Sequence, residues 1–237
     1  MNVLMFQHLN LEGGGSVYAL LKEAGVTVTA VNFERGDAIP DLAAFDAMLV
    51  LGGTMDVWDV EKCPWLINEK RAIRRWVRDL NKPYLGLCLG HQLLADALGG
   101  TCGPQTPMQV GPFTISLTPE GEKDPIFAGF SPQFPAYKWH GVRVAQMPEG
   151  STKLAYSPGC TVDAMRVADR AWGVQFHPEL KQGTLLDWYA MPGSPELFRL
   201  HFGERGIEAA IEQADPLLNE FHSNSARIVG SFMDAMT

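Results

Sequence analysis

A cysteine framed by glycines two residues to either side, Gly86-Leu87-Cys88-Leu89-Gly90, is an arrangement that chemistry can use. Small residues at those positions let the chain reverse sharply between a strand and a helix while the middle side chain stands clear of the sheet, the layout of a nucleophile elbow with sulfur in place of hydroxyl. At the first turn of a helix the unpaired N–H groups and the dipole favour an anion, which makes Cys88 a candidate nucleophile. Such a nucleophile needs a base and something to orient the base. The stretch Ala171-Trp172-Gly173-Val174-Gln175-Phe176-His177-Pro178-Glu179 supplies both. Pro178 pushes His177 toward an extended conformation, and two residues apart on an extended chain His177 and Glu179 project to the same side. Glu179 then accepts from one imidazole nitrogen while the other faces the sulfur, which fixes the tautomer and supports the imidazolium. Taken singly, a cysteine on a buried turn is usually a small hydrophobe and a histidine at a strand end is usually a hydrogen-bonded structural residue. Topology carries the case: Gly52-Gly53, Cys88 and His177 all fall at carboxyl ends of expected strands, the edge where open parallel sheets bind ligands.

Other chemistries find less support. Glycines 13 to 15 precede a helical pattern, but neither the dinucleotide nor the P-loop spacing is met, so a plain turn is expected. Lys plus Arg at 19 against Asp plus Glu at 27 gives a net charge of −8, which argues against nucleic acid and against an anionic membrane surface. Cys63, Cys88, Cys102 and Cys160 lack C-x-x-C spacing and read as reduced thiols, and the six histidines lack ligand spacing, so no metal or other cofactor is expected. No signal peptide or membrane span is expected, and a cytoplasmic location follows.

The elements that must position these residues begin with strands at Asn2 to His8 and Val26 to Asn32, a loop from Asn10 to Gly15 and a helix at Ser16 to Ala24. Ala47 to Leu51 is a buried strand. Trp65 to Leu80 is an amphipathic helix with Ile67, Ile73, Trp76, Val77 and Leu80 on its inner face. Tyr84 to Leu87 is the elbow strand, and Gly90 to Leu98 the helix after it. Beyond Gly100 short strands are expected at Phe113 to Leu117, Gln133 to Lys138, Val142 to Gln146, Thr152 to Tyr156, Val162 to Val167 and Ala171 to Phe176. From Thr184 the chain reads as helical, its last helix carrying Leu217, Phe221, Ile228, Phe232 and Met236 on one face for packing on its own domain. The chain, 1–237, is expected to be one domain with residues 184–237 as a helical C-terminal extension.

Gly86-Leu87-Cys88-Leu89-Gly90-His91-Gln92, Gly52-Gly53 and Phe176-His177-Pro178-Glu179, in this order and at these separations, resemble the class I (triad-type) glutamine amidotransferases. Within that family the similarity is greatest to the amidotransferase domain of GMP synthase and its stand-alone relatives, and it runs from the first strand to about Lys181. The resemblance implies an α/β fold with a flavodoxin-like core, its central sheet mostly parallel and flanked by helices, plus an added mixed or antiparallel strand region. It implies release of ammonia from the glutamine side-chain amide through Cys88, His177 and Glu179. Main-chain N–H groups of Gly53 and Leu89 would meet the oxyanion, and Gln92, Trp139, His140 and Gly141 would hold the glutamyl part. His91 reads as structural. Many relatives have Pro where this chain has Thr54-Met55, and Lys138 is a further departure, placed by the family's layout where a γ-glutamyl peptide could offer a carboxylate. No ammonia-acceptor domain is expected in the chain. The acceptor would then be a separate synthetase subunit, or the protein would be a γ-glutamyl peptide hydrolase with the same triad, or a binding or regulatory protein on the same fold.

Overall fold

In the computed structural model, which describes residues 1–10 and 13–237, the catalytically suggestive segments gather along one edge of a continuous sheet. The elements run β1 (Asn2–Gln7), α1 (Gly15–Glu23), β2 (Thr27–Asn32), β3 (Ala47–Val50), α2 (Trp65–Arg75), β4 (Tyr84–Leu87) and α3 (Leu89–Ala97). There follow β5 (Thr101–Leu117), β6 (Gln133–Gln146), β7 (Ser151–Ser157), β8 (Cys160–Val167) and β9 (Ala171–Val174), then α4 (Thr184–Tyr189), α5 (Ser194–Phe202), α6 (Ile207–Ala214) and α7 (Leu218–Asp234). Part of the loop expected over 10–15 falls on residues 11 and 12, outside the described residues.

Among the described residues the sheet has nine strands in the order β2-β1-β3-β4-β9-β8-β7-β5-β6. The first five are parallel, and β8, β7, β5 and β6 join antiparallel. Strands covered on both faces need continuous apolar runs rather than alternation, and β3, β4 and β9 are buried at every position. One apolar cluster, including Leu85, Trp172 and Phe232, and another, including Phe6, Trp76 and Leu93, form the main cores, while a third gathers Tyr137, Trp188 and Phe198 around the C-terminal helices.

Several boundaries differ from expectation for identifiable reasons. Residues 133–138 and 142–146 form one strand, β6, because the ladder continues through the Trp-His-Gly step, with Val110 opposite Trp139 and Gln109 opposite His140. β9 stops at Val174, after which Gln175 turns its side chain to the Cys88 sulfur and Phe176 packs into the core against Phe134. On α2 the inward residues are Leu66, Glu69 and Ile73, whereas Ile67 is exposed, one position off that face; a buried acid, Glu69, interrupts the apolar pattern that the sequence suggested. Residues 76–80 widen into a π-helical turn. The apolar face of α7 packs on its own chain through Phe221, Ile228 and Phe232. No helix among the described residues is long and apolar enough to cross a membrane.

Candidate active site

Cys88 stands between β4 and α3 with φ 50° and ψ −99°, a backbone conformation that costs a residue with a Cβ roughly 1–3 kcal/mol. The glycines around it make that turn possible. A Cβ on Gly86 would collide with the carbonyl of Gly90, and one on Gly90 would collide with the carbonyl of Val50. Three bonds fasten the elbow: Cys88 N–H donates to Val174 O at 2.9 Å, Tyr84 Oη–H donates to Gly90 O at 2.8 Å, and Gln92 N–H donates to Cys88 O at 3.2 Å. His91 lies beneath the elbow, wholly buried against Gly173, and burial pushes its pKa down to about 4 despite the carbonyls of Gly173 and Val162.

His177 reaches the same place from the end of β9. Its N–H donates to Tyr137 O on β6 at 2.9 Å. The backbone beyond it is tied to α1, where Ser16 N–H donates to Glu179 O at 2.9 Å and Ser16 Oγ–H to Pro178 O at 3.1 Å. A Cβ on Gly15 would strike that Glu179 carbonyl, so α1 must begin with glycine to come this close. The result sets His177 Nδ1 2.6 Å from Glu179 Oε1, leaves the buried Nε2 as the nitrogen for Cys88, and places the ring edge-on to Trp188. Burial lowers the His177 pKa, but the Glu179 carboxylate and the charge of the nearby Cys88 outweigh it, and the pKa is raised well above its ordinary value.

The sulfur also lies 3.6 Å from Gln175 Nε2 and 3.7 Å from Trp139 O. Gln175, fully buried in the same segment as His177, is a site residue the sequence reading passed over, although the motif contains it. Gln92 borders the cavity, yet its amide nitrogen donates to Val142 O at 2.9 Å and to Gln175 Oε1 at 3.2 Å, so much of its bonding capacity serves the protein itself.

A cavity of about 280 Å³ opens over the sulfur, and Gly53, Cys88, Gln92, Trp139, His140, Gly141 and His177 all line it. Glu179 sits behind His177 and borders an adjoining cavity instead. Leu89 lies under the floor: a Cβ placed on Gly53 would come within 2.8 Å of Leu89 Cδ2, so the two segments named for the oxyanion adjoin. Thr54 and Met55 line the cavity as well, and so do Asp56, Met108, Trp188, Met191, Ser194 and Leu197. The last four come from α4, α5 and the turn between them, a wall that no motif in the sequence could have located.

Lys138 is not in this cavity. It is wholly buried in the sheet, where its ammonium pairs with Asp163 and donates to Ser157 Oγ at 2.6 Å and Gln109 Oε1 at 2.9 Å. An ammonium taken out of water needs such partners, and having them it is unavailable to a substrate carboxylate. His140, Cys160 and Asp163 bring potential metal-binding atoms within 4.8 Å of one another. The set does not fit a cation: Lys138 already pairs with Asp163, and burial above all, with Asp163 nearby, pushes the Cys160 thiol up to about 12.

Comparison with known proteins adds a second line of observation. Residues 15–186 match the family model described as glutamine amidotransferase class-I. The chain is 34% identical over 165 residues to a glutamine-hydrolyzing GMP synthase subunit from Sulfolobus acidocaldarius, covering 68% of this chain and 80% of that one. It is 32% identical over 188 residues to the glutamine-hydrolyzing GMP synthase of Aeropyrum pernix, covering 76% of this chain and spanning 34% of that longer protein. The fold is shared with the crystal structure of a glutamine amidotransferase from Thermotoga maritima, with a TM-score of 0.85 at 20% identity over 99% of this chain and 98% of the other.

Proposed function

We propose, from the premise that this chain belongs to the class-I glutamine amidotransferase family, that it hydrolyses the side-chain amide of glutamine at Cys88 and delivers ammonia to a synthetase on a separate polypeptide. The observation that carries the reading is His177, with one nitrogen on Glu179 at 2.6 Å and the other on the Cys88 side of the ring, at a cavity entered by the elbow.

In this reading the Cys88 thiolate attacks the amide carbon, a C–S bond forms, and the carbonyl electron pair moves onto oxygen toward the N–H groups of Gly53 and Leu89. As the pair returns, the C–N bond breaks and His177 Nε2–H protonates the departing nitrogen, which leaves as ammonia. Water then attacks the glutamyl thioester, gives its proton to His177 and displaces Cys88, releasing glutamate. Glu179 holds the ring and its charge throughout. Trp139, His140, Gly141 and the exposed edge of Gln92 would cradle the glutamyl part.

A γ-glutamyl peptide would present a further carboxylate, and among the described residues the cavity lining includes no Lys or Arg to receive it, Lys138 being engaged elsewhere. Glutamine is therefore the favoured substrate. The separate partner follows from the Sulfolobus relative, itself named as one subunit of a GMP synthase, of whose length this chain covers 80%. The parallel half of the sheet serves as a flavodoxin-like core, the chain works as one domain, and its four free thiols suit a reducing compartment such as the cytoplasm.

The test is to incubate the protein with glutamine and measure glutamate and ammonia together. Equal release by the parent, lost in Cys88→Ala, is expected, as is an adduct of a diazo-ketone glutamine analogue mapped to Cys88. Labelling that persists in Cys88→Ala would remove this cysteine from the chemistry.

A further inference from the structure

The N–H of Gly53 belongs to the peptide between Gly52 and Gly53, and the group that fixes this peptide lies outside the cavity. His8, just past the end of β1, sets its Nδ1 2.7 Å from Gly52 O. A carbonyl only accepts, so Nδ1 carries the hydrogen and donates it. Its Nε2 meets Glu69 Oε1 of α2 at 2.9 Å, and both side chains are fully shielded from solvent. The ring also stacks on Phe33, with centroids 5.8 Å apart.

A trans peptide is planar, so the Gly52 C=O and the Gly53 N–H point in opposite directions from one rigid unit. A bond that pins the first aims the second. Local stiffness cannot do this, because the peptide joins two glycines, the residues with the widest backbone freedom. A Cβ on Gly53 would fall 2.6 Å from Met55 Sδ and 2.8 Å from Leu89 Cδ2, so a stiffer residue there would have to push both side-chain ends aside.

We infer that His8, itself held by Glu69, is a positioning residue that aims the Gly53 N–H at the oxygen on which charge develops during thioester formation. The inference rests on the glutamine-hydrolysing reading above. Its signature is kinetic, because a misaimed oxyanion donor weakens the transition state and leaves ground-state binding alone. A pair that merely ties the β1 end to α2 would change stability without that signature.

Three measurements on His8→Ala and His8→Gln separate the possibilities: kcat and KM for glutamine, inhibition by glutamate γ-semialdehyde, and the rate of Cys88 alkylation by iodoacetamide. The aldehyde adds the thiolate to form an oxyanion, whereas alkylation displaces iodide at a saturated carbon and forms none. Complete loss of one oxyanion donor costs about 10²–10³ in kcat, so a donor left in place but unaimed should cost about 10- to 100-fold, with KM changed by less than about threefold. Aldehyde affinity should fall in proportion and alkylation should keep the parent rate. His8→Gln, which brings a side-chain N–H of its own, should recover part of the loss. Glu69→Gln, which can still meet Nε2, should retain most of the kcat that Glu69→Leu loses. Unchanged kcat in the folded His8 variants, or a kcat that falls in step with alkylation, overturns the inference. Should the parent neither hydrolyse glutamine nor be labelled at Cys88, it is the underlying reading that falls, and the parent controls show which of the two has failed.

Discussion

Burial alone would strip His177 of its proton, and the Glu179 carboxylate at 2.6 Å together with Cys88 reverses that outcome. The sign of the linkage follows. A histidine whose folded pKa is raised contributes stability that is fully present below its unfolded value, about 6.5, and is lost as pH rises through the higher folded value. Denaturant midpoints of the parent should therefore decline on the alkaline side of neutrality, and Glu179→Gln, which lacks the charge that holds the imidazolium, should flatten that decline. The same substitution should lower kcat by as much as about 10⁴-fold, the scale seen when a triad imidazole loses its anionic partner; steady-state rates with glutamine check it, and parent-like turnover would send the search to another base. Lys138 makes the opposite case. Lys138→Met leaves Asp163 buried and uncompensated, so a loss of about 3–5 kcal/mol in unfolding free energy is expected. KM for glutamine should hold steady in the fraction that folds, because the side chain does not reach the cavity.

At the scale of elements, the elbow depends on two backbones meeting where side chains are absent. Gly86→Ala or Gly90→Ala drives a methyl into a carbonyl and should cost about 1–3 kcal/mol in stability, read from chemical unfolding. Activity should fall further than stability does, since Cys88 would be displaced from its turn. The elbow and the His-Pro-Glu segment were legible in the sequence because each is local: a few consecutive residues state the turn at Cys88 and the pairing of His177 with Glu179. The central parallel strands β3, β4 and β9 were legible from their short apolar runs. What stayed hidden was paired across long separations. Glu69 on the inward face of α2 makes sense only beside His8, and Lys138 only beside Asp163 on another strand. β6 reads as two strands until its partner β5 is known. Trp188, Met191, Ser194 and Leu197 carry no motif, so their place in the cavity wall could come only from the packing of α4 and α5.

Across the whole molecule, the proposed triad is held by segments far apart in sequence. Ser16 at the start of α1 supports Pro178 and Glu179, and with its hydroxyl hydrogen given to Pro178 O it accepts from Ser225 Oγ of α7 at 2.9 Å. Ser225→Ala should cost about 1 kcal/mol, the usual net worth of one such bond, in a thermal or chemical melt. That chain of contacts has a meaning for the order in which the protein is made. Synthesis on a ribosome delivers Cys88 early and His177 much later, and Ser225 emerges after both. A nascent chain that already displays its thiol still lacks the wall of α4 and α5 and the clasp that steadies His177 from behind. Ammonia release should therefore begin only once α7 has been made, and chains stalled before it should label poorly with the diazo-ketone analogue even though Cys88 has long been outside the tunnel.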